Sequence, residues 1–319
     1  MLREVLLQAS RSTGLRTFVE TAPGSRQLVR RYVPGTRPED ALRACQELTG
    51  AGLTTTLDHL GEDTTDPEQA RAVRDAYVTV LRLLSDAGLT SGGRVEVSVK
   101  LSAVGQALGD DGEKIALEHA HAICEAAAAA GTTVTLDMED HTTTDSTLFV
   151  LRELRRDFGW VGAVLQAYLY RTEGDCKDLA VEGSRVRLCK GAYKEPPSVA
   201  YQSAPEVDRS YVRCLSILMA GQGYPMVASH DPRIIDIAGA LAVRHRRTPA
   251  DHEYQMLYGI RPDEQRRLAR QGETVRVYVP YGEEWYGYLM RRLAERPANV
   301  AFMTANVVRE MVGGRNGKH

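Results

Sequence analysis

Short runs of β-favouring residues alternate with longer amphipathic segments along most of the chain. Each run is four to seven residues long and is rich in Val, Leu, Thr and Tyr, which are common in strands. Several runs are apolar throughout, as in strands whose outer face is covered by helices. The predicted strands are residues 53–57, 95–101, 133–138, 163–169, 186–189, 225–229, 253–257 and 274–279.

The intervals between these runs carry a helical pattern. The clearest helices are predicted over residues 67–88, 113–131 and 205–223. A proline opens or nearly opens two of them and a glycine ends all three, as helix termini favour. Eight β-then-α units predict an α/β fold, a (βα)8 TIM-type barrel. An open doubly wound sheet is the alternative because it also alternates strand with helix, but the count of eight favours the barrel.

The chain is predicted to have three parts. Residues 1–50 form an N-terminal helical arm, residues 51–310 the catalytic barrel and residues 311–319 a C-terminal tail. The first residues alternate apolar and charged positions, as in a short amphipathic helix. Either this arm packs on the barrel, which we favour, or its basic cluster of Arg26, Arg30 and Arg31 contacts anionic lipid at a membrane surface.

Composition narrows the class of protein. The 319 residues are 43% hydrophobic and 26% charged, which is typical of a globular protein. Forty basic and 42 acidic side chains give a net charge of −2, which argues against a nucleic-acid partner. Five scattered cysteines without a C-x-x-C pair favour reduced thiols and a cytoplasmic location. The sequence contains no uncharged apolar window of about 18 residues, so no transmembrane helix is predicted.

In a (βα)8 barrel, the active site forms where the strands end at their carboxyl side. The polar residues at those predicted ends are Lys100, Asp137, Gln166, Arg187, Lys190, His230, Glu253, Gln255 and Tyr278. The last predicted helix adds Tyr288, Arg291 and Arg292. These three share one helical face, because residues three and four positions apart are neighbours.

This set has a chemical logic. Lys100, Arg291 and Arg292 bring three cations to one mouth, and the planar arginine fork suits a carboxylate or phosphate. Gly191 follows Lys190 and lets backbone N–H groups approach an anion. The pattern therefore indicates two anionic groups, a small carboxylate and a pyrophosphate. Tyr278 and Tyr288 would wall an apolar ring.

Each of these residues could also have a purely structural role. Lys100 could be an ion-pair partner, Asp137 could balance Arg187, and Arg291 with Arg292 could be a solvated helix face. His119 and His121 lie two apart on a helix and point away from each other, so no metal site is predicted. The sequence lacks G-x-G-x-x-G, G-x-x-x-x-G-K-[ST], H-E-x-x-H and G-x-S-x-G, so a Rossmann site, a P-loop, a zincin and a hydrolase elbow are disfavoured.

The strand-end residues sit in an ordered set of strings. They are LDHLGE (57–62), VSVKLSA (97–103), TLDMED (135–140), LQAYLYRT (165–172), RLCKGAYKE (187–195), ASHD (228–231), EYQMLYG (253–259), VYVPYG (277–282) and YLMRRLAE (288–295). In this order they resemble the proline dehydrogenase family, in its monofunctional bacterial type. The resemblance implies a distorted (βα)8 barrel with non-covalent FAD at the carboxyl ends of the strands.

The resemblance also implies roles for individual residues. Asp137 and Arg187 would be catalytic, with Arg187 beside the flavin N5 atom. The substrate L-proline would be held by Lys100, Arg291 and Arg292 through its carboxylate, and by Tyr278 and Tyr288 around its ring. FAD would be bound by Met138, Gln166, Lys190, Gly191, Ala192, Ser229 and His230. Electrons would pass to a quinone or another acceptor, with possible contact to the inner face of the membrane.

Two functions of other classes remain as alternatives. Lys100 could be the nucleophile of a Schiff-base lyase, as strand lysines are in other barrels. The barrel could also be a non-catalytic module that binds a small anion or a nucleotide.

Overall fold

Eight parallel strands close into a barrel in sequential order. The computed structural model describes residues 25–295. The strands are β1 (Thr54–His59), β2 (Val95–Val99), β3 (Val134–Leu136), β4 (Gly162–Gln166), β5 (Arg185–Cys189), β6 (Tyr224–Ala228), β7 (Glu253–Leu257) and β8 (Val275–Tyr281). β8 pairs with β1 from Thr54 opposite Arg276 to His59 opposite Tyr281, which closes the sheet. The predicted barrel is therefore confirmed, and the open sheet is excluded.

Helices surround this barrel. They are α1 (Ser25–Tyr32), α2 (Pro38–Gly50), α3 (Pro67–Asp86), α4 (Gly112–Ala129), α5 (Thr144–Leu154), α6 (Thr172–Leu179), α7 (Ala204–Ala220), α8 (Pro232–Arg244), α9 (Pro262–Arg270) and α10 (Trp285–Glu295). Their ends follow local chemistry. Asp66 caps α3 by accepting from the Glu68 N–H at 2.9 Å, and Gly88 follows that helix with a φ of 68°. The three helices predicted most clearly are confirmed.

One apolar core lies between the barrel and its helices. Outward-facing strand residues such as Leu57 and Val97 are fully buried there. α2 belongs to the same core, since its Ala41 and Cys45 are also fully buried in it. The second helix of the predicted arm therefore packs on the barrel wall, as an amphipathic helix with an apolar stripe must.

A second cluster joins the two ends of the described chain. Tyr32 and Val33, at the end of α1, are buried with Trp285 and Leu289 of α10.

Residues 1–24 and 296–319 lie outside the described residues. The predicted boundary at residue 310 and the predicted C-terminal tail lie outside them as well. Arg30 and Arg31 are exposed on α1. Within residues 25–295, no helix has both the length and the apolar character needed to cross a bilayer.

The interior of the barrel is charged. Side chains alternate along a strand, so positions two apart on β2, β5, β7 and β8 point inward together. Arg185 donates to Glu96 at 2.7 Å, and Arg276 donates to Glu253 at 2.8 Å. Burial would raise the pKa of Glu96, but Arg276 and Arg185 outweigh it and lower that pKa to about 2. Ion pairs thus occupy space that other barrels fill with Val, Ile and Leu.

Candidate active site

Lys100 follows β2 and lies at the mouth of the barrel. Its Nζ donates to both carboxylate oxygens of Asp58, at 2.8 and 2.7 Å, and lies 3.7 Å from Asp137. Burial would lower the pKa of Lys100, but the fields of Asp58 and Asp137 outweigh it and raise that pKa. An ammonium group has no lone pair for attack, so this environment argues against the Schiff-base alternative.

Asp137 follows β3 and is the point where several elements meet. One of its oxygens accepts from Arg187 at 2.7 Å and from the Ser98 hydroxyl at 2.8 Å. The other accepts from the Tyr278 hydroxyl at 2.7 Å. Burial and the charge of Asp137 raise the pKa of Tyr278 well above its ordinary value, so that hydroxyl remains a donor. Four strands, β2, β3, β5 and β8, thus fix one carboxylate.

Arg187 lies inside the barrel and is only 4% exposed. Its Nε donates to Gln255 at 2.5 Å, and its Nη1 donates to Ser98 at 2.9 Å in addition to Asp137. Its Nη2 has no hydrogen-bond partner within the described part of the chain and lies 3.8 Å from Glu96. An uncompensated donor at such depth is uncommon. The Arg187–Asp137 pair is therefore tightly held, while the Nη2 of Arg187 lacks a hydrogen-bond acceptor among the described residues.

A second group of predicted residues lies along the neighbouring strand ends. Gln166, the last residue of β4, donates to the Glu139 carbonyl at 2.6 Å. The Ser229 hydroxyl accepts from the Asp231 N–H at 3.1 Å, and His230 Nε2 accepts from the Leu257 N–H at 2.9 Å. Met138 is nearly buried, at 7% exposure. These residues lie at or just after the carboxyl ends of β3, β4 and β6, so they occupy one arc of the mouth.

Lys190 and Gly191 follow β5 in the same arc. Lys190 donates to Asp208 of α7 at 2.5 Å and to Asp231 at 3.1 Å, which balances its charge. Gly191 has a φ of 105°, and a Cβ there would lie 2.4 Å from the Tyr168 ring. Ala192, the next residue, is exposed. Only glycine meets both the backbone angle and the close approach at position 191.

The three residues predicted on the last helix all lie on α10. Arg291 donates to Glu62 at 2.7 Å, while the Arg292 guanidinium lies 5.1 Å from the centre of the Tyr288 ring. Burial would lower the pKa of Arg291, but Glu62 and, more weakly, Asp58 outweigh it and raise that pKa. Asp58 is also the partner of Lys100. Arg291 and Lys100 therefore face the same mouth.

Sequence reasoning missed several residues of this mouth. Asp58, Glu62 and Tyr193 were quoted only within strings and were given no role. Burial raises the pKa of Tyr193, and the charges of Glu139 and Glu62 raise it further while that of Arg291 lowers it, so Tyr193 lies among the charged residues of the mouth. Asp58 and Tyr193 could have been found from their positions, at a strand end and just after one.

Comparison with known proteins identifies relatives along nearly the whole chain. The sequence profile described as Proline dehydrogenase matches residues 41–305. Proline dehydrogenase 1 of Bacillus subtilis (strain 168) is 37% identical over 310 residues, which are 97% of this chain and 100% of that protein. Proline dehydrogenase of Deinococcus radiodurans is 40% identical over 284 residues, which are 88% of this chain and 90% of that one.

A solved structure agrees with these sequence relatives. Proline utilization A from Bdellovibrio bacteriovorus, inactivated by N-propargylglycine, superposes with a TM-score of 0.80 at 25% identity. The match covers 92% of this chain and 36% of that longer one. Together with the barrel and the order of its strand-end residues, these matches show that this chain belongs to the proline dehydrogenase family.

Proposed function

We propose that this chain oxidises L-proline to Δ1-pyrroline-5-carboxylate with a bound FAD and passes the electrons to a quinone-type acceptor. One observation carries the proposal: Lys100, Arg291 and the Arg187–Asp137 pair, which come from four distant parts of the chain, surround one mouth. An anionic substrate bound there would meet fixed cations beside a buried polar pair. Membership of the proline dehydrogenase family supports this choice of substrate.

The substrate carboxylate is assigned to Lys100, Arg291 and Arg292. Lys100 already holds the carboxylate of Asp58 and Arg291 that of Glu62, so both side chains are arranged to bind an acid group. Clamping this end of proline orients the ring carbon beside the nitrogen, and such positioning supplies much of the rate of an enzyme. Tyr278 and Tyr288 are assigned to the ring, together with the added candidate Tyr193.

The residues at the opposite arc fit a long anionic cofactor. Gln166, Lys190, Ser229 and His230 supply amide, ammonium, hydroxyl and imidazole groups at successive strand ends, a donor set suited to the ribityl and diphosphate parts of FAD. The backbone at Gly191 adds an N–H in an uncommon conformation, and Met138 and Ala192 complete the assigned set. FAD, when bound, supplies the hydride-accepting redox chemistry.

Arg187 and Asp137 are the proposed catalytic pair. Asp137 accepts from Arg187, Ser98 and Tyr278, so its orientation is set before substrate arrives. Arg187 supplies a buried positive charge that needs no reorganisation during the reaction, which is how preorganised sites stabilise developing negative charge. The proposed electron acceptor is a quinone. This protein is proposed to be cytoplasmic and to contact the membrane only at its surface.

The proposal is tested by the visible spectrum of the purified protein after reconstitution with FAD. Anaerobic L-proline is expected to bleach the flavin absorbance, and D-proline to leave it unchanged. Reoxidation by a soluble quinone should then restore the colour. A protein that retains no flavin, or a flavin indifferent to L-proline, would contradict the proposal. The second of these outcomes, in which flavin binds without turnover, would favour the nucleotide-binding module.

Replacing Gly191 with alanine is expected to weaken FAD retention by about tenfold or more. A side chain would be forced into a φ of 105° and against Tyr168, and such strain costs about 1–3 kcal/mol. Gly159→Ala is the matched control, because a Cβ there meets nothing within 4 Å. The flavin-to-protein ratio after dialysis measures the effect. Equal ratios in the two variants would show that the conformation at position 191 does not serve the cofactor.

A further inference from the structure

The Arg187 guanidinium is held on two edges, and only one of them belongs to the mouth. Its Nη1 edge meets Ser98 and Asp137, as described above. Its Nε edge meets Gln255, deeper in the barrel, at 2.5 Å. We propose that Gln255, backed by Glu253 and Arg276, is a positioning residue that fixes the plane of Arg187 for the reaction. This inference rests on the proposed function of the Arg187–Asp137 pair.

Gln255 reaches this place because of its position on β7. Glu253 and Gln255 are two residues apart, so both side chains enter the barrel. They are 1% and 3% exposed. A glutamine this deeply buried is costly unless both its donor and its acceptor are used. Both are used here, so the side chain has defined partners on either side.

The partner below Gln255 decides which way its amide points. Gln255 Nε2 donates to a carboxylate oxygen of Glu253. A guanidinium N–H can only donate, so the amide oxygen of Gln255 must face Arg187, and the amide nitrogen is left to donate to Glu253. A flipped amide would place an N–H against the Arg187 N–H and an oxygen against Glu253. Glu253 therefore prevents the one rotation that would release Arg187.

Glu253 is itself anchored to the barrel wall through Arg276. Arg276 Nε donates to Glu253 at 2.8 Å, its Nη1 to the Thr55 carbonyl at 2.8 Å and its Nη2 to the Gly93 carbonyl at 3.1 Å. The Tyr224 hydroxyl adds a bond to Glu253 at 3.2 Å. A series of side-chain contacts thus connects main-chain carbonyls near the amino ends of the strands to the catalytic pair. It passes through Arg276, Glu253, Gln255 and Arg187.

Contacts on two edges of the Arg187 guanidinium fix the orientation of its plane, whereas contacts on one edge do not. Ser98 and Asp137 both contact Nη1, so with these two partners alone the guanidinium could turn about that nitrogen. With Gln255 at Nε, that turn would break a hydrogen bond made to a charged donor. Sites whose supporting contacts are lost become loose without unfolding, and small misplacements can cost up to about a hundredfold in rate. The loss of Gln255 should therefore appear in the chemical step.

The test compares Gln255→Met with Gln265→Met. Gln265 is also almost fully buried, at 2% exposure, but it lies on α9 and donates to the Leu257 and Ile260 carbonyls. Both variants remove the polar contacts of a buried glutamine at similar side-chain volume. We expect Gln255→Met to lower kcat by about tenfold to a hundredfold with little change in KM for proline. Gln265→Met should keep kcat near that of the unchanged protein.

Two readouts separate positioning from general damage. The midpoint potential of bound flavin should shift in Gln255→Met alone. In flavin-free protein, nitrogen NMR should show the Arg187 Nε–H exchanging at least about tenfold faster in Gln255→Met than in Gln265→Met, since only the former removes its acceptor. Equal exchange in both variants would overturn the inference while leaving the proposed function intact. Failure of the unchanged protein to respond to proline would instead remove the proposed function, and the exchange measurement would still decide the positioning.

Discussion

Arg187→Met is expected to lower kcat for proline oxidation by about a hundredfold to a thousandfold, the cost of losing one preorganised charged donor. Methionine keeps the volume of the aliphatic part of the side chain but removes three contacts, to Asp137, Ser98 and Gln255. Asp137 would keep Ser98 and Tyr278 as donors, with Lys100 at 3.7 Å as its nearest remaining cation. The measurement is steady-state turnover with a dye acceptor, together with flavin content.

Arg185→Met is the control for this variant. Arg185 lies two positions earlier on the same strand and also points inward, where it pairs with Glu96 at 2.7 Å. Its removal disturbs the same charged interior without touching Asp137. Urea unfolding of both variants measures the shared loss of stability. Comparable turnover in the two variants would show that Arg187 acts only as part of the barrel core.

Arg291→Met is expected to raise KM for L-proline by about tenfold to a hundredfold. An arginine–carboxylate pair contributes about 1.5–3 kcal/mol, and tenfold in affinity corresponds to about 1.4 kcal/mol. The effect should fall near the lower limit, because the Arg291 side chain is 34% exposed and its partner Glu62 must be displaced. A uniform loss of binding leaves kcat nearly unchanged, since ground state and transition state lose the same contact.

Arg266→Met is the matched control. Arg266 is an exposed helical arginine on α9 that pairs with Asp263 at 2.8 Å, so it shares the chemistry of Arg291 but not its place at the mouth. Steady-state kinetics over a range of proline concentrations distinguishes KM from kcat. If KM is unchanged in Arg291→Met, or if kcat falls alone, the assignment of this residue to the substrate carboxylate fails.

Much of the fold was predictable because it rests on local signals. Strand residues such as 253–257 occur at predicted positions, and the three predicted helices begin and end within a few residues of their expected bounds. One difference has a physical cause. α7 was expected to continue to Gly223, but it ends at Ala220, where Arg247 binds the Leu218, Met219 and Gly221 carbonyls. Because Arg247 lies outside α7, on the far side of β6 and α8 in the chain, the local sequence of α7 does not reveal this end.

The candidate site was predictable only as a set of strand-end positions. Lys100 and Asp137 follow from the rule that barrel sites form at carboxyl ends of strands, whereas Arg187 lies in the middle of β5 and reaches the site from inside the barrel. Their partners do not follow from it, because two residues separated by 42 or 229 positions meet only after the barrel closes. Asp58 beside Lys100 and Glu62 beside Arg291 are the clearest cases.

The amino-acid sequence by itself determined the number of strands, their order, the helices between them and the face on which polar side chains gather, since each depends on neighbours along the chain. Only the tertiary structure decided which charges compensate one another. Burial makes an unpaired charge costly, so each ionised group must find its partner on whichever strand the closed barrel brings near. In the closed barrel, Asp58 pairs with Lys100, Asp137 pairs with Arg187, and Gln255 accepts from the Nε of Arg187.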